Sequence, residues 1–192
     1  MRDLSFIDCE TTHLNPAIGE IIEICIIRQN PLTREQDVYY TKIQPLHLER
    51  AHPKALEVNG YNLREWREAL PPEIVAREIV EFLRGSQVVA HNARFDLDFV
   101  EELLYQYNLS PSWDRRYICT MTLSHEHLYF LPSISMRSIR DFFGWSHLGE
   151  HTATTDCQDV QRLYWTILRA SLLSRIWWRL RRHLLRFWGV SK

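Results

Sequence analysis

Five residues of this 192-residue chain have types and spacings suited to one metal-assisted reaction. Asp8 and Glu10 lie two apart in FIDCETT, Asp96 ends HNARFD, and His151 stands five residues before Asp156 in HTATTD. Carboxylates are hard oxygen ligands suited to Mg2+ or Mn2+. A histidine titrates near neutral pH and can take a proton. Four carboxylates and one histidine could hold two divalent cations and activate a water between them, the chemistry of phosphodiester cleavage. Each motif alone is modest evidence. An acidic pair at a strand end is often only solvated, Asp96 could serve as a helix N-cap, and Asp156 could simply favour a helix N-terminus. A lone loop histidine is usually a surface residue. The strand before Asp8 reads as buried, however, and unpaired carboxylates there are costly unless a cation meets them.

The elements around these motifs alternate in a readable way. Residues 4–9 form a short apolar strand, which places Asp8 and Glu10 on one face and Cys9 on the other. Residues 20–28, rich in isoleucine, read as a second strand. Asn30-Pro31 marks a turn and residues 37–43 a third strand, the short connections favouring an antiparallel meander. Residues 47–61 read as a short helix and turn. A helix is expected over 71–83, from Pro71-Pro72 to Gly85, then a strand at 87–91, a helix at 96–107 and a last strand at 117–119. Helices follow over 120–127, 136–143 and 154–169. The fold class is α/β, a mixed five-stranded sheet with helices packed on it.

The order, residue types and spacings of FIDCETT, HNARFD and HTATTD resemble the DEDDh group of 3′→5′ exonucleases, the DnaQ-like family of DNA polymerase III epsilon-type proofreading domains. The resemblance spans about the first 170 residues and implies a ribonuclease-H-like fold. It further implies that Asp8 bridges two Mg2+ or Mn2+ ions, that Glu10 and Asp156 complete one of them, and that Asp96 helps hold the other. His151 would be the general base, and the products would be nucleoside 5′-monophosphates. Thr11, Thr12, His13, Leu14, His91, Asn92 and Phe95 are expected to bind substrate, with Phe95 reading also, and rather more, as a core residue. One departure stands out: the family commonly has glycine where this chain has His13, giving ETTHL instead of ETTGL. Single-stranded DNA is the expected substrate, with RNA trimming as the alternative and a fold-retaining adaptor as the non-enzymatic rival. His125 and His127 read as a partly exposed helical pair, since no further ligand motif lies nearby.

Composition bounds the setting. Hydrophobic residues make up 45% and charged residues 24%, as in an ordinary soluble domain. The four cysteines lack metal-ligand spacing and suit buried thiols in a reducing, cytoplasmic compartment. No signal peptide or spanning helix is expected. The formal net charge of −1 hides an asymmetry, because the last 24 residues hold seven Lys/Arg and no acid. A domain boundary is expected at 169/170, separating the 1–169 domain from a basic amphipathic helix over 170–192. At 100° per residue, Leu173, Ile176, Trp177, Leu180, Leu184, Phe187 and Trp188 form one apolar stripe, with Arg175, Arg179, Arg182 and Arg186 opposite. This stripe is out of phase with the helix before it, so either the chain breaks near Ser171 or Ser174, which suit N-caps, or the tail leaves the domain with its own face free. The stripe could pack back on the domain or on a symmetry mate, enter the groove of a partner such as a polymerase, or lie in an anionic membrane interface.

Overall fold

The computed structural model describes residues 2–187, and side-chain surroundings as far as Arg181. Five strands, β1 (Leu4–Thr11), β2 (Ile21–Gln29), β3 (Gln36–Lys42), β4 (Gln87–Ala90) and β5 (Asp114–Cys119), form one sheet in the order β3-β2-β1-β4-β5. The first three pair antiparallel, and β4 and β5 extend the sheet parallel to β1. This is the mixed arrangement expected from the sequence. β1 is central, with neighbours on both edges and helices on both faces, which explains its almost continuous apolar run. It extends to Thr11, two residues past the expected end. β2 follows it there through a register shift between Glu10 and Thr11. Such a bulge bends the strand locally and re-aims the side chains beyond it.

Among the described residues, seven α-helices surround the sheet: α1 (Pro53–Val58), α2 (Pro72–Phe82), α3 (Ala93–Gln106), α4 (Thr120–His127), α5 (Met136–Phe143), α6 (Ala153–Arg169) and α7 (Leu172–Phe187). One face of the sheet packs Ile7, Ile24 and Ile26 against Val75 and Ile79 of α2 and Val100 and Leu104 of α3. On the other, Phe6, Ile27 and Val89 meet Cys157, Val160 and Tyr164 of α6. Each fully buried side chain of this size contributes roughly 1.5–3 kcal/mol. Because strand side chains alternate, Asp8 and Glu10 share the α6 side with Phe6, whereas Cys9 points with Ile7 toward α3.

The C-terminal helix narrows the readings that the sequence left open. Of the two alternatives, the chain does break near Ser171: α6 stops at Arg169, Ala170 is extended, and the Ser174 N–H donates to Ser171 Oγ at 3.1 Å. The apolar stripe does not pack back on the domain over its described part, however. Leu173, Ile176, Trp177 and Leu180 are exposed. Trp178, about 140° round the helix from Leu173, is buried instead among Phe142, Trp145, Leu163 and Ile167. The domain offers an aromatic socket that one tryptophan fills, so the docking face was decided by the receiving surface and not by the helix's own hydrophobic arc. The Leu184 and Phe187 side chains and Trp188 lie outside the described residues.

Candidate active site

The sheet brings the widely separated motifs together. Asp8 and Glu10 rise from the same face of β1, and Asp156 comes from the first turn of α6, which crosses that face. Ligand-capable oxygens of these three carboxylates lie within 4.8 Å of one another. Asp96 approaches from α3, which starts at Ala93, so it sits inside the first helical turn. It is buried, and its Oδ1 accepts the Cys9 N–H at 3.1 Å, fastening α3 to β1 between Asp8 and Glu10. The arrangement thus places Asp96 beside the three-carboxylate cluster and not within it. His151 is on the loop before α6, with φ +65, a left-handed conformation that only tight local constraint maintains in a non-glycine residue. Its backbone N–H donates to Asp156 Oδ2 at 3.1 Å. Gly149 permits this turn, because at φ +79 a Cβ would lie 2.5 Å from Thr155 Oγ1.

The electrostatics of the cluster favour a cation. Burial, then repulsion from Asp96, Asp156 and Glu10, holds the Asp8 carboxyl well above the usual carboxylate range. Burial, then repulsion from Asp156, Glu23 and Asp96, pushes Glu10 up to about 8. Burial likewise raises Asp96 against the hydrogen bonds it accepts. Asp156 is raised less freely, since Arg140 opposes its burial. Acidic groups that resist ionising together are relieved by divalent cations, and an all-oxygen donor set fits Mg2+ or Mn2+.

The residues expected to bind substrate divide into two groups. Thr11, His13, Leu14 and Phe95 line an open cleft of about 340 Å3 beside Glu10. Leu14 is 81% exposed at its lip. His13 holds the loop through its Nδ1, which accepts the Asn15 N–H at 3.0 Å, and its ring meets His52 edge-on at 6.0 Å. Thr12 is turned inward, its Oγ1 accepting the Glu20 N–H at 2.9 Å. His91 is engaged by protein at both ring nitrogens, with Thr120 Oγ1 at 2.9 Å and the Ile134 carbonyl at 3.0 Å. Parallel β4 ends one residue before it, and the ring turns into the protein between the starts of α4 and α5. Burial lowers its pKa to about 4. Asn92 is exposed at the start of α3 with φ +62.

Several participants escaped the sequence reading. His52, Lys54 and Asn59 complete the cleft wall, because the 47–61 segment is pinned across the Thr11-Thr12 turn by the His52 N–H to Thr12 O and Asn59 Nδ2 to Thr11 O. Glu23, a buried acid within the isoleucine run of β2, accepts the Ala153 N–H at 3.1 Å and secures the start of α6 opposite Glu10. Its only sequence signal was a charge inside an apolar strand. Arg140 reaches Asp156, Glu150 and Asp159. Its spacing resembled that of any amphipathic helix arginine. Among the described residues, His125 and His127 join no metal-capable group.

A mixed sheet carrying these carboxylates and a loop histidine before a helix defines a class of nucleases. Residues 5–164 match the family described as Exonuclease, and the chain belongs to that family, in its DEDDh, DnaQ-like form. It is similar to the PolC-type DNA polymerase III of Thermotoga maritima, 31% identical over 164 residues that make up 84% of this chain and 12% of that polymerase. It is also similar to Ribonuclease T of Photobacterium profundum, 31% identical over 114 residues, half of each protein. In fold it matches E. coli Exonuclease I in complex with a dT13 oligonucleotide, with a TM-score of 0.75 at 17% identity over 92% of this chain and 43% of that one. The cell-death related nuclease CRN-4 aligns at a TM-score of 0.71 and 15% identity, over 88% of this chain and 64% of that one. The chain therefore spans only a small part of its polymerase relatives.

Proposed function

We propose that this chain is a metal-dependent 3′→5′ exonuclease that releases nucleoside 5′-monophosphates from single-stranded DNA. The observation that carries the reading is the meeting of Asp8, Glu10 and Asp156 oxygens within 4.8 Å, from elements at opposite ends of the domain. Asp8, Glu10, Asp96 and Asp156 would hold two Mg2+ or Mn2+ ions, which when bound polarise the phosphodiester and acidify water. Asp8, Glu10 and Asp156 would hold a cation together, and Asp96, fixed beside them by the Cys9 N–H, would help hold the second. His151, on the loop that reaches Asp156, takes the proton of the attacking water as general base. Leu14 and Phe95 flank the terminal nucleotide in the cleft, and His13 touches it from the wall where the family has glycine.

Single-stranded DNA is favoured by the likeness to an exonuclease seen with dT13. RNA trimming is the second reading, favoured by the Ribonuclease T relative. Five chemically competent side chains argue against an adaptor that kept only the fold. The polymerase relatives suggest a polymerase as protein partner, and four free cysteines suit a reducing, cytoplasmic setting. Among the described residues no helix is long and apolar enough to cross a membrane. A time course on 5′-labelled single-stranded DNA and RNA, with Mg2+, Mn2+ or EDTA, tests the reading. A metal-dependent one-nucleotide ladder on DNA is expected, and internal cuts or no metal requirement overturns it.

A further inference from the structure

Arg140 lies in the middle of α5, and its side chain is only 1% exposed. Its guanidinium meets three carboxylates from the segment that carries His151 and opens α6. Nε donates to Asp159 Oδ2 at 2.5 Å, one terminal nitrogen lies 3.3 Å from Glu150 Oε1, and the other donates to Asp156 Oδ1. Asp156 Oδ2 accepts the His151 N–H. Both oxygens of this carboxylate are therefore oriented by the protein, one from α5 and one from the loop. Glu150 immediately precedes His151, so the same fork ties down the loop on which the histidine sits. A planar guanidinium holds several acceptors in fixed directions, which an ammonium cannot do.

Simple neutralisation does not require this arrangement. Asp159 alone would balance the charge of a buried arginine, yet two further acids converge on it, one of them a member of the three-carboxylate cluster. We propose that Arg140 is a positioning residue of the active site: it orients the Asp156 carboxylate toward the cation and, through Glu150, sets the loop that presents His151. The proposal deepens the metal-dependent reading above and rests on Asp8, Glu10 and Asp156 forming a cation site.

The test compares the full chain with Arg140→Lys, which keeps the charge and removes the fork. Mn2+ affinity by titration calorimetry supplies a readout independent of turnover, and kcat and KM follow from 5′-labelled single-stranded DNA. Loss of a hydrogen bond that orients a metal ligand typically weakens metal binding or activity by about 10–100-fold. The folded lysine variant is expected to bind Mn2+ and to turn over more weakly by about that factor, with KM within about twofold. A folded variant with Mn2+ affinity and kcat within about twofold of wild type overturns the proposal. If the lysine variant does not fold, Asp159→Asn, which removes the charge anchoring Nε, decides by the same titration. Weakened Mn2+ binding supports the role and unchanged binding overturns it. A wild-type chain that binds Mn2+ but cuts neither DNA nor RNA defeats the exonuclease reading alone, whereas one that binds no Mn2+ defeats both.

Discussion

The role proposed for Asp8 carries a cost in stability, since a partly buried carboxyl among three other acids is ionised only at a cost. In EDTA, Asp8→Asn should therefore raise the melting temperature by a few degrees, about what relief of 1 kcal/mol gives in a chain of this size. It should also abolish both turnover and the melting shift that Mg2+ produces in wild type. His151→Ala separates the two roles: turnover is lost while the Mg2+ shift persists, readable by thermal scans beside the nuclease ladder. His91 supplies a pH dependence separate from that of the acidic cluster. Its folded pKa is depressed from 6.5 to about 4, so folding favours the neutral ring. Its stabilisation is present above pH 6.5 and is lost as pH falls through about 4, by up to roughly 3 kcal/mol. His91→Gln should flatten that part of the stability profile, measured by urea unfolding at a series of pH values.

At the scale of elements, α7 provides the clearest contrast. Trp178 fills the socket formed by Phe142, Trp145 and Ile167, while its neighbour Trp177 is 54% exposed. Trp178→Ala is expected to cost about 3 kcal/mol in urea unfolding, the lower range for a buried aromatic. Trp177→Ala should stay within about 0.5 kcal/mol, as exposed substitutions do. The turn before α6 is similarly unequal. Gly149→Ala introduces a Cβ into Thr155 at a positive φ, whereas Leu148, next to it, is 88% exposed. The glycine substitution should lower both stability and turnover by displacing the His151 loop, and Leu148→Ala should change neither.

For the whole molecule, charge is divided between an acidic body and a basic C-terminus. The first 168 residues carry 16 Lys/Arg and 24 Asp/Glu, against seven Lys/Arg and no acid in the last 24. On the proposed function, broad attraction to nucleic acid is expected from the tail, and cations held at the site would reverse the sign only near it. Removing residues 172–192 should lower the melting temperature, because it uncovers the Trp178 socket. On a short oligonucleotide at saturating substrate, kcat should stay within about twofold, since no described α7 side chain lines the cleft. Binding to longer DNA should lose part of its salt dependence, visible as a shallower slope of affinity against salt concentration.

Most elements and the acids that meet at the site, Asp8, Glu10 and Asp156, were legible in the sequence, because strand alternation, helical periodicity and motif spacing are local properties of the chain. Those patterns placed Asp8 with Glu10 and Cys9 on the other face, and showed that one straight helix could not present both stripes around residue 170 to one surface. Tertiary packing decided the rest. Whether His91 faced substrate or protein depended on Thr120 and Ile134, and the helix face that docked depended on an aromatic socket built from α5 and α6. The reach of Arg140 to Asp156 depended on how those two helices meet. Sequence alone determined the inventory of groups and their secondary-structure phase. The folded chain decided their partners, since a buried side chain's pairing depends on residues that approach it from elements distant in sequence.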